Sequence, residues 1–185
     1  MELKAEKKAL RKQIKENLAA LPKEEIARQS MAVCKKVEAM DVFKKAKTVL
    51  TYMAMPKECY PQYMDFSGKT VAYPLCVEGG RLEVYVPLGE DSFARGAYGI
   101  TEPVPSKCIK LEPEELDLVI VPCVAYDKTC KRMGHGVGYY DRLLCETDAV
   151  TVGIALNQQV LDSVPAEEWD KKVDYVISEN GIYCK

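Results

Sequence analysis

Residues 131–144, KRMGHGVGYYDRLL, carry three glycines at alternate positions directly before a segment with helix-forming character at residues 139–145. They follow an apolar run, DLVIVPCV at residues 117–124, which is typical of a buried strand. Gly134, Gly136 and Gly138 allow backbone conformations closed to other residues and let a ligand approach main-chain N–H groups. The pattern predicts a strand, a ligand-binding loop and a helix in that order.

Two charged residues of the same stretch favour a nucleotide phosphate as the ligand. Arg132 offers a planar positive fork that suits phosphate oxygens, and Asp141 offers the hard oxygen that magnesium prefers. A helix start adds unpaired N–H donors for an anion. The alternative is that the glycines only tighten a connection, because the loop is neither a Walker A sequence nor GxGxxG.

The composition is that of one soluble globular domain. The 185 residues are 48% hydrophobic with a net charge of −2, and residues 1–15 have no apolar core of a signal peptide. No apolar run is long enough to cross a membrane, and the acidic balance argues against nucleic-acid binding. The eight cysteines form no CxxC pair and there is one histidine, which argues against zinc and for reduced thiols in the cytoplasm.

Apolar periodicity predicts two helices before any strand. The first covers residues 3–18, where lysines on the polar face are typical of a solvated surface, and the second begins after Pro22 with Ile26, Val33, Val37 and Met40 as its buried stripe. This order favours a single α/β domain over residues 1–185, with a largely parallel sheet flanked by helices. The predicted strands are residues 47–54, 70–75, 81–88, 117–124, 149–156 and 173–178, with a short helix at 60–66 and a loop at 92–113.

The ordered motifs resemble the 5-formyltetrahydrofolate cyclo-ligase family, also called 5,10-methenyltetrahydrofolate synthetases. The strongest likeness is the strand DLVIVP with VAYD at residues 124–127 and RMGHGVGYYDR at residues 132–142. Weaker anchors in the same order are KKALR at 7–11, Tyr52 with Glu58, YGITEP at 98–103, VGIA at 152–155 with Gln158, and Val173 with Asp174. The resemblance covers essentially the whole chain and implies the NagB/RpiA/CoA-transferase-like α/β architecture.

The resemblance also implies site residues. The ATP contacts would be Lys7, Lys8, Ala9, Leu10, Arg11, Arg132, Met133, Gly134, His135, Gly136, Val137, Gly138, Tyr139 and Tyr140. The folate contacts would be Arg11, Met53, Glu58, His135, Gly136, Val137, Gly138 and Tyr139. The magnesium ligands would be Asp141 and Asp174, and the catalytic residues would be Arg132, Tyr139 and Asp141.

The implied reaction uses ATP and Mg²⁺ to convert 5-formyltetrahydrofolate to 5,10-methenyltetrahydrofolate, ADP and phosphate. Phosphorylation of the formyl oxygen would make it a leaving group, and N10 of the same molecule would close the ring. The chain departs from the family pattern at Met133, at Tyr126, at Cys123, and in a shorter segment between Glu58 and Lys69. The shorter segment between Glu58 and Lys69 would change the wall of the folate pocket relative to the family pattern.

Other readings of the same sequence stay open. One is a non-catalytic folate- or nucleotide-binding protein on the same fold, and another is a sugar-phosphate isomerase or CoA-transferase relative. The intact Arg132, glycines and Asp141 disfavour the first, and the segment 7–11 disfavours the second. The small-molecule substrate is the expected partner, and a monomer is the expected state.

Overall fold

A computed structural model describes residues 2–96, 99–167 and 170–185. Its helices and strands follow in chain order. The helices are α1 (Glu2–Ala19), α2 (Lys23–Ala39), α3 (Asp41–Lys45) and α4 (Tyr139–Leu143). The strands are β1 (Thr48–Leu50), β2 (Thr70–Val77), β3 (Arg81–Pro87), β4 (Phe93–Arg95), β5 (Thr101–Pro103), β6 (Cys108–Leu111), β7 (Leu118–Val121), β8 (Ala125–Asp127), β9 (Arg132–Met133), β10 (Val150–Ile154), β11 (Val160–Leu161), β12 (Tyr175–Ser178) and β13 (Gly181–Cys184).

The main sheet has the strand order β13-β12-β10-β7-β1-β2-β3-β6. Strands β12, β10, β7, β1 and β2 are parallel to one another, while β13, β3 and β6 join in antiparallel pairs at the two sides. The predicted α/β class with a largely parallel sheet is therefore confirmed. Within the described residues, no helix has the length and apolarity needed to cross a bilayer.

The central strand β7 is apolar because both of its faces are covered. Leu118 and Ile120 belong to one core, and Val119 and Val121 belong to a second core on the opposite face. All four residues are buried. Such a strand reads as an unbroken apolar run rather than an alternation, which is the pattern of residues 117–124.

Helices α1 and α2 cover the first face, as the sequence predicted. Ile14 and Leu18 of α1 and Ile26, Val33 and Val37 of α2 pack into the core on that side. Met40, predicted as part of the same stripe, is the C-terminal cap of α2 and is only partly buried. The short helix α3 follows at once and was not predicted.

A small sheet in the order β11-β8-β9 contributes to both cores, with Ala125 and Met133 in the first and Tyr126 in the second. Tyr126 of β8 is fully buried, and its hydroxyl donates to the Val121 carbonyl at 2.8 Å. Its ring lies so close to Gly153 of β10 that a Cβ there would stand 2.4 Å from a ring carbon. The departures Tyr126 and Met133 are thus both accommodated in the core, where each is almost completely buried.

Several sequence-based boundaries were wrong. Residues 92–113 are not a loop, because they hold β4, β5 and β6, whose short lengths leave no readable alternation between the prolines and glycines. Residues 60–66 form only a 3-10 turn at Pro61–Tyr63. The chain ends in β13, which was not predicted. Tyr98, the first residue of the YGITEP anchor, lies outside the described residues.

Candidate active site

A cavity of about 1190 Å³ opens at the carboxyl ends of the parallel strands. Tyr52 and Met53, which follow β1, and Pro122, which follows β7, lie in its wall. Ligand sites in open α/β sheets form at this edge, because the loops leaving adjacent strands converge there. The glycine-rich residues 134–138 form another wall, and α1 contributes the side chains of Lys4, Lys7 and Arg11.

The glycine loop has the close contacts and the unusual backbone angles that its sequence predicted. Gly136 has φ +103° and Gly138 has φ +82°, which side chains with a Cβ rarely adopt. A Cβ on Gly134 would lie 2.8 Å from a terminal nitrogen of Arg132. Gly138 caps α4, which has five residues and is shorter than the predicted segment 139–145. Because α4 is so short, the N–H groups of the loop backbone, and not the dipole of a long helix, are the polar groups that this wall offers to a ligand.

Arg132 is a buried guanidinium inside this wall and is 5% exposed. Its terminal nitrogens donate to Asp141 Oδ1 at 3.0 Å and to the Pro122 carbonyl at 3.3 Å. Its Nε is buried and has no hydrogen-bond acceptor among the described residues. An unsatisfied buried donor is costly, so this nitrogen is a candidate contact for a bound anion.

Tyr140 stacks beside this cation, with its ring centroid 5.6 Å from the guanidinium carbon of Arg132. Its hydroxyl is buried and has no partner within the described part of the chain. Burial raises the pKa of Tyr140, because the phenolate would be poorly solvated there. The phenol stays protonated at neutral pH and can donate.

Helix α1 approaches the glycine loop through Arg11 and Lys7. Arg11 Nε donates to the Gly134 carbonyl at 2.9 Å. Lys7 Nζ pairs with Glu167 at 3.2 Å and Asp170 at 2.5 Å. Burial alone would lower the pKa of Lys7, but the hydrogen bonds to Asp170 and Glu167 outweigh it and raise the pKa. Lys7 is therefore a firmly protonated ammonium at the cavity wall.

The intervening residues of α1 do not reach the cavity. Lys8 and Ala9 are exposed, and Leu10 is partly buried against the core of the first sheet face. The helical repeat explains the difference, since positions four apart share a face and Lys7 and Arg11 are four apart. Of the predicted segment 7–11, only its two ends lie at the site.

Glu58 and His135, which the resemblance implied as folate contacts, lie side by side in the cavity wall. Glu58 is buried, and its Oε2 accepts the Met55 N–H at 2.8 Å. Its Oε1 lies 3.4 Å from His135 Nε2. Met53 lies in the same wall.

Tyr139 lines the cavity at the start of α4, where it contacts Cys76 of β2. Burial, together with a hydrogen bond to Glu102, raises the pKa of the Cys76 thiol to about 11, and the hydrogen bond from Tyr139 only partly opposes this shift. The thiol therefore stays neutral. Met133 and Val137 also lie in the wall.

The structure does not bring the two predicted magnesium ligands together. Asp141 lies in the cavity wall, whereas Asp174 precedes β12 at the amino ends of the parallel strands. Asp174 Oδ2 accepts the N–H and the hydroxyl of Thr151 at 2.8 and 2.7 Å, and Oδ1 pairs with Lys185. Sequence spacing carried no information about which end of the sheet each aspartate occupies, so this separation could not be foreseen.

Asp117 and Asp174 have the same structural role, because each carboxylate accepts backbone N–H groups of a neighbouring strand. At the start of β7, Asp117 Oδ2 accepts the N–H groups of Lys47 and Thr48 at 2.8 Å each, where β1 begins. Asp174 does the same for β10 from its position before β12. Both carboxylates therefore fasten the amino ends of neighbouring strands. No cluster of three or more potential metal ligands occurs among the residues the structure describes.

Glu102 is a cavity residue that sequence reasoning did not single out. It lies on β5 and is 6% exposed, and its Oε1 accepts the Cys76 N–H at 3.3 Å. In the sequence Glu102 stands in the YGITEP motif at residues 98–103, which carried part of the family resemblance but did not mark Glu102 as a cavity residue.

Comparison with known proteins identifies the family. A model of the 5-formyltetrahydrofolate cyclo-ligase family matches residues 3–179. The chain belongs to this family. A probable 5-formyltetrahydrofolate cyclo-ligase of Schizosaccharomyces pombe is 30% identical over 196 residues, covering 95% of this chain and 96% of that protein. The 5-formyltetrahydrofolate cyclo-ligase of Saccharomyces cerevisiae is also 30% identical, covering 96% of this chain and 97% of that protein.

Solved structures agree with the family assignment. The NMR structure of Aquifex aeolicus 5,10-methenyltetrahydrofolate synthetase has a TM-score of 0.82 at 32% identity, covering 96% of this chain and 92% of that one. The 5,10-methenyltetrahydrofolate synthetase of Mycoplasma pneumoniae has a TM-score of 0.75 at 24% identity, covering 94% and 98%, and supports the fold. The resemblance found in the sequence, and the expectation of a cyclo-ligase enzyme, are confirmed.

Proposed function

We propose that this chain couples ATP hydrolysis to the conversion of 5-formyltetrahydrofolate to 5,10-methenyltetrahydrofolate, releasing ADP and phosphate, with Mg²⁺ as the metal. The observation that carries this proposal is one cavity in which a family member presents a buried, incompletely paired Arg132 beside a glycine loop, together with Glu58, which lies next to His135 of that loop. The first half suits a phosphate chain and the second suits a polar heterocycle.

The nucleotide half would be built from Arg132, the loop N–H groups of residues 134–138 and Lys7. Preorganised cations and dipoles stabilise charge on phosphoryl oxygens, because they need no reorganisation during the reaction. Asp141 is the proposed metal ligand, and one carboxylate suffices because magnesium keeps several waters and shares phosphate oxygens. When bound, ATP would supply the phosphoryl group that turns the formyl oxygen into a leaving group, and Mg²⁺ would offset the negative charge of the phosphates.

The folate half would be built from Met53, Glu58, His135 and Tyr139. N10 and the formyl group belong to one molecule, so the task of the protein is to hold them in a reactive arrangement. Glu58 is itself fixed by the Met55 N–H, so it can orient the substrate's polar edge without first being ordered. Tyr139 starts α4 directly after the glycine loop and lines the same cavity, which supports a contact between its ring and the substrate.

The reaction is tested by absorbance. Purified protein with 5-formyltetrahydrofolate, Mg²⁺ and ATP is expected to develop the absorbance of methenyltetrahydrofolate, and omission of any one component is expected to abolish it. Absence of product with all three present, from protein that binds both ligands, would instead favour the non-catalytic binding protein.

We further propose that residues 1–185 act as a single-domain monomer in the cytoplasm. One continuous sheet runs from β1 near the start to β13 at the end, which supports a single domain. Light scattering of the purified protein tests the monomer, and a dimer mass would overturn it.

A further inference from the structure

The cavity continues along an open edge of β2. Pairing between β1 and β2 ends at Leu50 and Ala72, yet β2 runs on to Val77. The Thr51 N–H donates to the Ala72 carbonyl, so Ala72 faces β1, and the alternate residues Pro74 and Cys76 face the same way. Pro74 has no N–H to satisfy, and the Cys76 N–H is taken by Glu102. The edge is therefore closed by a carboxylate rather than by a strand.

The carboxyl group of Glu102 is buried and has few partners. It is 6% exposed, and no lysine, arginine or histidine of the described chain forms an ion pair with it. Its partners are the N–H of Cys76 and the thiol of the same residue. A carboxylate has about four acceptor positions, and a buried one is costly unless they are used.

Gly96 leaves the space that the Glu102 carboxylate occupies. A Cβ on Gly96 would stand 1.7 Å from Glu102 Oε2, so only glycine permits the observed position. Glu58, the other buried carboxylate of the cavity, already has Oε2 on the Met55 N–H and Oε1 beside His135. Two partners do not fill the acceptor positions of a carboxylate, so Glu102, like Glu58, keeps acceptor capacity for a ligand.

We propose that Glu102 is a specificity-determining residue that accepts hydrogen bonds from the N–H edge of the substrate's aminopyrimidine ring. The 2-amino group and the adjacent ring N–H point the same way, and two neighbouring donors match the two oxygens of a carboxylate. This inference rests on the proposed function, because it takes 5-formyltetrahydrofolate as the ligand.

The test measures binding by calorimetry without ATP. The ligands are 5-formyltetrahydrofolate and an analogue in which methyl replaces the 2-amino group. Wild-type protein is expected to prefer the amino compound by about tenfold or more, the usual worth of hydrogen bonds to a charged group. Glu102→Gln is expected to reduce that preference to less than about threefold, because the amide can turn a donor toward the ligand's own donors.

Glu83→Gln is the matched control. Glu83 lies on the neighbouring strand β3, pairs with Lys110 and does not line this cavity, so the wild-type preference is expected to persist. Glu102→Asp serves as a second variant should the amide variant fail to fold, and withdrawal of the carboxylate by one methylene is expected to cause the same loss of preference. A wild-type preference retained in the folded Glu102 variant, or no preference in wild-type protein, would overturn the proposal. ATP-dependent product formation by wild-type protein tests the reaction separately.

Discussion

Arg132 and Asp141 show how a single pair of side chains can prepare an anion site. The ion pair at 3.0 Å holds the guanidinium in place, while its Nε stays without an acceptor in the described chain. A fixed cation with a spare donor loses little entropy when an anion arrives. The sequence predicted the partners for ligand binding but not their contact with each other, which depends on the hairpin of β8 and β9.

Arg132→Ala is expected to reduce kcat/KM by about 10²–10³-fold, the loss typical of one preorganised donor to a transition state. Steady-state kinetics at varied ATP measures the effect, with circular dichroism confirming the fold. Arg28→Ala is the control, because Arg28 forms exposed ion pairs with Glu25 and Glu179 far from the cavity. Wild-type turnover by the folded Arg132 variant at saturating ATP would contradict the role.

Asp141→Asn is expected to raise the Mg²⁺ concentration for half-maximal activity by about tenfold or more, because an amide oxygen is a weaker ligand for a hard cation. A magnesium titration of the initial rate measures it. Asp174→Asn is the matched control and should leave the midpoint unchanged, since Asp174 is bonded to Thr151 and Lys185 at the opposite end of the strands. An equal increase of the half-maximal Mg²⁺ concentration in both variants would show that Asp174 is also a metal ligand.

The residues that sequence reasoning missed were those without a local pattern. Glycines at alternate positions predict a tight loop, and Arg132 beside them indicates an anion-binding site. Glu102 gave no such signal, because its meaning comes from β2 extending beyond β1, a relation between distant segments.

At the scale of elements, α1 and the glycine loop form one unit. Arg11 Nε donates to the Gly134 carbonyl, and a Cβ on Gly136 would lie 3.3 Å from the Arg11 guanidinium. The helix therefore restrains the start of the glycine loop, in addition to the bond from Arg142 to the Val137 carbonyl. The sequence predicted both elements but not the contact that joins them.

Arg11→Ala is expected to lower kcat/KM by about tenfold, in line with one hydrogen bond to a charged group. Amide hydrogen exchange in residues 134–138 should accelerate at the same time, because the clamp on the Gly134 carbonyl is gone. Lys12→Ala, on the exposed face of the same helix, should change neither quantity. Unaltered exchange in the Arg11 variant would argue against the clamp.

Elements were predictable where their periodicity was long. Helices α1 and α2 have 18 and 17 residues, enough for an apolar stripe to repeat several times. Strands β8 and β9 have three and two residues, too few for any alternation to show. The hairpin that carries Arg132 to the cavity was therefore invisible in the sequence.

On the scale of the whole molecule, the cavity and the stabilising aspartate hydrogen bonds lie at opposite edges of the sheet. The carboxyl edge holds the cavity, while at the amino edge Asp117 and Asp174 accept N–H groups of the adjacent strands. The parallel order was predictable from apolar strands alternating with helical segments. The edge of the sheet at which each aspartate lies was not predictable, because it depends on strand register.

Asp174→Asn is expected to lower the free energy of unfolding by about 1–2 kcal/mol at pH 7, and Asp117→Asn is expected to lower it by less, because Asp117 is exposed and solvent screens its charge. Burial alone would raise the pKa of Asp174, but hydrogen bonds from Lys185 and Thr151 outweigh it, so the pKa is lowered on folding. Hydrogen bonds from the N–H groups of Thr48 and Lys47 lower the pKa of Asp117.

Because both pKa values fall on folding, this stability is complete above the unfolded pKa of about 4 and is lost as pH falls through the folded pKa. Urea denaturation at pH 7 and at pH 3 measures the difference, which should shrink in acid. A loss that stays constant across this range would show that the carboxylate charge is not responsible.

A crystal structure with a non-hydrolysable ATP analogue and Mg²⁺ tests most directly whether the glycine loop, Arg132 and Asp141 form the phosphate site. The triphosphate is expected within hydrogen-bonding distance of Arg132 and the N–H groups of residues 134–138, with the metal on Asp141 and none on Asp174. A triphosphate bound away from residues 132–141 would contradict the account.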